Sequence, residues 1–359
     1  MNEKLIVKNF GPIRDAELEL KKTTVLIGPQ GSGKSTLAKL VAVFVNNEYD
    51  QISKQSPNNR PSIGIEFHDY GLLDYLKEET ILNFLTGATQ FSYDISFGID
   101  VIENSENSEK FTAREDLYIP AERVFISSIS NSLYGLMSSR IFLPKTLTVF
   151  GSRFEFATEI FPQFDTLLNV QYFRGTERKS MIRLENGQEI SLSATSSGHQ
   201  ALIPLQMVVE SELVRYKTQQ ATLFTIEEPE LNLYPTTQKR LIYYLADRCT
   251  QNQNKLLMTT HSPYVLTSLN MLLLAYSVWQ KHPEREADIA AIVPRESWLN
   301  PEEFAAYYVA DGTVRSITDP ETMLISDNEL DGVSEDNAGD LDLLMKIYRS
   351  KSKVNEEVN

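Results

Sequence analysis

Nine consecutive residues limit this chain more than any others: Gly28-Pro29-Gln30-Gly31-Ser32-Gly33-Lys34-Ser35-Thr36. They fit the phosphate-binding pattern G-x-x-x-x-G-K-[ST] without a mismatch. An apolar run, Thr24-Val25-Leu26-Ile27, predicts a strand leading in. Thr36 to Phe44 carries the apolar spacing of a helix leading out. The glycines let the backbone curl until successive N–H groups point at one anion, and the helix offers its positive end to the same charge. In that setting Lys34 would meet the β- and γ-phosphates, and the Ser35 hydroxyl would ligate Mg²⁺. Such a strand, loop and helix imply an α/β fold with a nucleoside triphosphate site.

The chain has 359 residues, 42% of them hydrophobic, enough for one large core or two moderate ones. It has no apolar run of about 18 residues, so no transmembrane helix and no membrane partner are expected. The start, Met1-Asn2-Glu3-Lys4, has no apolar leader, and Cys249 reads as a buried structural thiol; both suit a cytoplasmic setting. The net charge of −15 opposes nucleic acid on average. DNA contact is therefore not indicated and would need a local basic patch or a basic partner. The same acidity could hold a positively charged protein.

Lys4–Val7 and Ala16–Leu20 predict two antiparallel strands around a Gly11-Pro12 turn, with Phe10 placed either to flank an adenine or to pack in the core. Residues 46–61 read as a surface loop, 69–87 as helix, 91–99 as one half-buried strand and 103–109 as a solvated turn. Leu117-Tyr118-Ile119 is a short strand ending in Pro120 and the pair Glu122-Arg123. That pair is either an inert ion pair or a loop in which Arg123 contacts nucleotide or a partner subunit. Residues 125–168 read as a helical lobe with an aromatic core. Ser180–Leu184 and Glu189–Leu192 predict a hairpin about a two-residue turn, Asn186-Gly187. Arg174, Arg178, Lys179 and Arg183 make this the most basic neighbourhood, either a solvated strand face or a contact for nucleic acid or an effector.

Ser196-Ser197-Gly198 precede an apolar helical run, so they form a helix N-terminus with free N–H groups, a second anion site. Thr222–Ile226 is a buried strand ending in Glu227-Glu228-Pro229-Glu230. Beside a phosphate loop, one of these carboxylates can hold the metal through water and the next can orient or deprotonate the attacking water. Leu256–Thr260 is a further buried strand ending in His261-Ser262-Pro263. A histidine at the phosphate end of such a sheet reads as functional. Residues 289–293 predict a last strand, followed by short mixed elements through Val309. Asp340-Leu341-Asp342 lies in an acidic stretch and reads as a solvated helix face. Lys351–Asn359 is expected to fray.

Taken in order, the loop at 28–36, Ser196-Ser197-Gly198-His199-Gln200, Glu227 to Pro235 and Thr260-His261-Ser262-Pro263 resemble the motifs of an ABC-class ATPase. More narrowly they resemble the heads of OLD-family nucleases, RecF and SMC-like proteins, and the ATPase subunits of bacterial phage-defence systems. The late segment Ala305 to Gly312 also looks like the tail of the defence-type ATPases. The resemblance implies one ABC-type head, a mixed β-sheet lobe with an inserted helical lobe and no coiled-coil arm. Its parts would be a nucleotide-binding lobe (1–124), the insert (125–168), a lobe carrying the signature, the acids and the histidine (169–293), and an extension with the acidic segment (294–359).

The same resemblance assigns roles. Gly28, Pro29, Gln30, Gly31, Ser32, Gly33, Lys34, Ser35 and Thr36 would bind ATP. Ser197, Gly198 and Gln200 would touch the γ-phosphate held by an opposite subunit. Ser35 and Glu227 would serve Mg²⁺, Glu228 would be the catalytic base and His261 would sense the γ-phosphate, while residues 230–233 cross the dimer interface. Three features depart from the pattern: Glu227 stands where Asp is usual, His199 replaces a glycine, and no metal-sensing glutamine precedes the insert. The implied protein is an ATP-driven homo-oligomer, at least a dimer, controlling a separate effector that could be basic. Alternatives are a DNA repair or recombination ATPase acting on DNA directly, and a scaffold that binds ATP without hydrolysing it.

Overall fold

The computed structural model describes residues 3–53, 63–86, 89–94, 98–103, 114–129, 143–215, 221–326, 340–341 and 343–346. The alternating opening sequence folds as expected. β1 (Glu3–Phe10) and β2 (Ile13–Leu20) pair antiparallel with Phe10 opposite Ile13. Leu5, Val7, Leu18 and Leu20 point into the core. β3 (Thr23–Ile27) is buried at every position, and α1 (Lys34–Ser53) begins at the lysine of the phosphate loop. The loop expected from Asn46 is therefore helix as far as Ser53, and residues 54–62 lie outside the described residues.

Next come α2 (Ile63–Asp69), a 3-10 turn at Leu73–Tyr75, β4 (Ile81–Thr86), β5 (Thr89–Asp94) and β6 (Gly98–Glu103). The helix expected over 69–87 is corrected here. Leu82, Phe84 and Thr86 are buried while Ile81 is exposed, the period of two that belongs to a half-covered strand. The single strand expected over 91–99 is two strands, paired antiparallel with Asp94 opposite Gly98. Most of the turn expected at 103–109 lies outside the described residues.

β7 (Arg114–Ile119) passes through a 3-10 turn at Ala121–Arg123 into α3 (Val124–Ile129), and α4 (Lys145–Ile160) follows. Then β8 (Gln163–Asp165), β9 (Gln171–Arg174), β10 (Ser180–Arg183) and β11 (Glu189–Ser191) form a small separate sheet. The expected hairpin is β10 and β11, with a loop of Glu185, Asn186 and Gly187 rather than two residues. Leu184 N donates to Gln188 O at 2.9 Å, and Gly187 takes φ 81°. Its basic residues have carboxylate partners: Arg174 and Arg178 face Glu159, Lys179 faces Glu177 and Arg183 faces Glu189.

The remaining elements are α5 (Ser197–Arg215), β12 (Ala221–Glu227), α6 (Pro235–Cys249), β13 (Lys255–Thr260), α7 (Pro263–Lys281), α8 (Glu286–Ala290), β14 (Phe304–Ala310) and β15 (Thr313–Ser316). The strand expected at 289–293 is the end of α8 and a turn: Ile289 packs inward, while Ile292 is exposed. β14, expected only as part of mixed elements, is a full strand. Asp340 and Leu341 are helical and exposed, and the acidic stretch from 327 to 339 lies outside the described residues.

The large sheet has the order β6-β5-β4-β1-β2-β15-β14-β3-β13-β12-β7. Its five strands from β14 to β7 are mutually parallel, and the β1, β2, β4, β5 and β6 wing is antiparallel. Helices cover both faces of the parallel half. Leu26, Leu223 and Leu257 join the α1 side of the core, whereas Val25, Phe224 and Met258 join the side of α5, α6 and α7. Burial on both faces explains why these strands read as unbroken apolar runs. Cys249 is fully buried, as expected. Among the described residues no helix is long and apolar enough to cross a membrane.

β14 closes against the phosphate loop itself. Gly28 has φ +150°, and a Cβ placed there would lie 2.1 Å from the carbonyl oxygen of Val309. Backbone has no side-chain end to swing away, so Gly28→Ala should force β14 off β3. We expect it to cost at least about 3 kcal/mol, seen as a lowered denaturant midpoint. Gly31→Ala, with open space around its Cβ, should cost far less despite its own positive φ.

Candidate functional site

Because the strands are parallel and in register, their C-terminal ends reach one edge together. Thr260 pairs with Ile27, Glu227 with Thr259, and Ile226 with Ile119. That edge therefore gathers the phosphate loop, the acidic pair and the histidine from three distant parts of the chain, the usual place for a ligand in an open α/β sheet.

Lys34 is buried, and its ammonium donates to the carbonyls of Gly28 and Pro29, each at 2.8 Å. Burial draws its pKa down to about 8, while the carboxylates of Glu228, Glu230 and Glu227 pull the other way. It remains mostly charged at neutral pH. Gly33 takes φ +103° with no room for a side chain beside Ile13, which fixes the loop on the opening hairpin. Phe10 is not a base-flanking residue. It is fully buried, packed against the rings of Phe67 and Tyr75.

At the end of β12, Glu227 Oε2 accepts from the N–H of Ala121 at 3.3 Å. Glu228 then turns away with φ 41°, a conformation uncommon for a residue with a side chain. That turn sends its carboxylate outward to His261, whose Nε2 lies 2.9 Å from Oε1. Both side chains are partly exposed. Glu230 points inward and holds the histidine's backbone: Oε1 accepts from Thr260 Oγ1 at 2.6 Å and from His261 N at 3.0 Å. Ser262 Oγ donates to Gln238, whose amide donates to Leu233 O, so the two turns are tied together. Sequence reasoning missed Glu230 and Gln238 as anchors.

Arg123 is corrected most sharply. It is neither a surface ion pair nor a contact for another molecule but a fully buried clamp. Its guanidinium donates to the carbonyls of Ala201, Pro120, Glu227, Glu228 and Pro229 at 2.9–3.2 Å. Burial draws it down to about 10, so it stays charged at neutral pH. This clamp joins helix α5 to the acidic turn and holds Glu228 in its strained conformation. No short motif announces such a role, because all its partners are backbone. Arg123→Met would take a charged donor from each of these buried carbonyls, and we expect a loss of at least about 3 kcal/mol of stability by chemical denaturation. Arg123→Lys should recover only part of it, since an ammonium cannot reproduce the planar fork.

The second anion site expected at the start of α5 is built as a helix N-terminus. Ser196 Oγ caps it, accepting from His199 N at 3.5 Å, and pairs with His199 Nδ1 at 2.8 Å. Burial lowers the His199 pKa, so the imidazole that replaces a glycine is neutral. Ser197 is exposed. A Cβ on Gly198 would lie 3.0 Å from Asn232 O, so this turn sits directly against the 230–233 segment. Gln200 faces inward: its amide nitrogen donates to Ser193 O and Thr195 O, and its oxygen accepts from Ser128 Oγ.

The site suits Mg²⁺. Glu227 Oε1 is buried without a hydrogen-bond partner among the described residues, and Ser35 stands exposed on the loop. An orphaned buried carboxylate oxygen is costly unless a cation or water meets it. No cluster of three or more His, Cys, Asp or Glu able to hold a metal occurs among the described residues.

Residues 23–267 match the family model described as "AAA domain, putative AbiEii toxin, Type IV TA system". A 155-residue stretch is 25% identical to the sulfate/thiosulfate import ATP-binding protein CysA of Nephroselmis olivacea. It covers 40% of this chain and 41% of that protein, about two fifths of the relative's length. Among solved structures, the SMC head domain from Thermotoga maritima aligns at 14% identity over 88% of this chain and 98% of that one, TM-score 0.43. The recombination mediator RecF of the RecFOR pathway aligns at 10% identity with the same coverages, TM-score 0.41.

Proposed function

This chain belongs to the family described as AAA domain, putative AbiEii toxin of a type IV TA system, an ABC-type P-loop ATPase family, and on that footing we propose that it binds and hydrolyses ATP to drive a head-to-head assembly that controls a separate effector in phage defence. The carrying observation is the convergence of Lys34, Glu227, Glu228 and His261 on one sheet edge, with Glu228 and His261 2.9 Å apart.

The loop's N–H groups and Lys34 hold the triphosphate. Mg²⁺, held by Ser35 and through water by Glu227, would neutralise phosphate charge there. Glu228 takes the proton of the attacking water, and His261 both orients that carboxylate and meets the γ-phosphate. Ser197 and the free N–H groups of α5 belong to the partner's site: they are exposed and sit against the 230–233 turn. Gly198 brings the backbone close, and Gln200 shapes the turn from within. Exposed Tyr234 and Tyr264 flank the acidic and histidine turns, as aromatic contacts of such a face would.

A mixing experiment tests the assembly. Lys34→Ala and Ser197→Arg chains should each be inactive alone. Together they form pairs with one site damaged twice and one intact, so mixing should restore part of the ATPase rate. If mixing restores nothing while both chains remain folded, the shared site is wrong. Co-purification with the products of neighbouring genes tests the effector; tight, salt-sensitive duplex binding by the chain alone would favour direct action on DNA instead.

A further inference from the structure

A second cavity, of about 300 Å³, opens beside β7 between the later part of α1, α2 and the start of α4. Two polar side chains on one face of β7 line it, and the nucleotide reading uses neither. Asp116 is 7% exposed; its Oδ1 accepts from Thr225 Oγ1 at 2.5 Å, but Oδ2 is buried without a partner among the described residues. Tyr118 is 4% exposed, with its hydroxyl buried beside the Glu227 carboxylate. The ring of Tyr70 meets Tyr118 edge-on with centroids 5.5 Å apart.

The unpaired, buried Asp116 oxygen asks for a donor, and the surroundings specify its charge. Glu66, Asp69 and Glu115 also line the cavity. Of the basic residues there, Arg153 is engaged by Glu115 and by Glu212. Lys145 is the other basic residue in the lining, so acidic side chains outnumber basic ones four to two and disfavour an anion. Burial raises Asp116 to about 8, so this carboxyl becomes charged at neutral pH only when a positive group approaches. Tyrosine faces attract cations. A bare metal ion fits less well, because among the described residues no group of three or more His, Cys, Asp or Glu is arranged to hold one.

We propose that this cavity binds a compact organic cation, the ammonium or guanidinium group of a small molecule, seated on Asp116 against the tyrosine rings. The volume is at the lower end of small-molecule sites. Calorimetric titration of the full chain with agmatine and with putrescine, at constant ionic strength, tests it. At least one probe should saturate one site per chain below about 1 mM. Asp116→Asn should weaken binding at least tenfold while leaving ATP-analogue binding intact, and Tyr118→Phe should weaken it severalfold; if the first variant does not fold, the second decides. Lys34→Ala should bind the probe as the unmodified chain does, which separates this site from the nucleotide site. The proposal is overturned if neither probe binds, or if binding survives both substitutions unchanged.

Discussion

A Glu228→Gln chain should bind ATP and remain locked in its assembled form, hydrolysing at a rate lowered by roughly 10²–10⁴, the usual contribution of a general base. The geometry makes this substitution unusually clean. Glutamine matches glutamate in shape, its amide oxygen can still meet His261 Nε2, and the strained φ of 41° is imposed by the Arg123 clamp on the backbone. What is lost is the ability to accept a proton from water. Sedimentation with ATP should show a stable larger species for Glu228→Gln and a transient one for the unmodified chain. A Glu228→Gln rate equal to that of the unmodified chain would remove the base assignment. His261→Ala should lower the rate less, because the carboxylate remains.

Lys34→Ala should weaken ATP binding at least about 100-fold, roughly 3 kcal/mol, and leave no measurable hydrolysis. The lysine is buried and bridges the carbonyls of Gly28 and Pro29, so removal takes away both the phosphate's positive partner and the clip that shapes the loop. Its pKa near 8 adds a second readout. Bound phosphate favours the charged form, so above pH 8 the free chain must take up a proton in order to bind. The dissociation constant should then rise with pH, by up to tenfold per unit, until the pKa of the bound state is reached. A flat profile from pH 7 to 9.5 would mean that Lys34 does not contact the triphosphate. Equilibrium titration with a fluorescent ATP analogue measures both effects.

Strands β3, β12 and β13 of the parallel half were legible because they are buried on both faces and lead into residues with chemistry: Ile27 before the loop, Glu227, and Thr260 before His261. In the antiparallel wing the β1–β2 hairpin was legible as well, but β4, β5 and β6 were not. Between Leu72 and Leu85 the apolar residues fall at spacings that suit a helix as well as a strand, and only pairing with β1 decides for Ile81–Thr86. Ile289–Val293 is β-branched and apolar, yet it caps a short helix with Ile292 in solvent. The positions of the loop, the acids and the histidine could be read from their motifs. What holds them could not: Arg123 and Glu230 act on backbone groups far away in sequence, and no local pattern records such partners.

The place of β14 bears on how the protein comes into being. During synthesis the phosphate loop emerges early, but one flank of β3 stays unpaired until residues 304–310 leave the ribosome, because that strand alone lines it on that side. The segment matched by the family ends at 267, before this strand. A fragment cut at that boundary would carry the phosphate loop, the acids and the histidine and still leave the edge of β3 open beside Gly28. Nearly the whole chain must be made before its nucleotide loop acquires a finished wall.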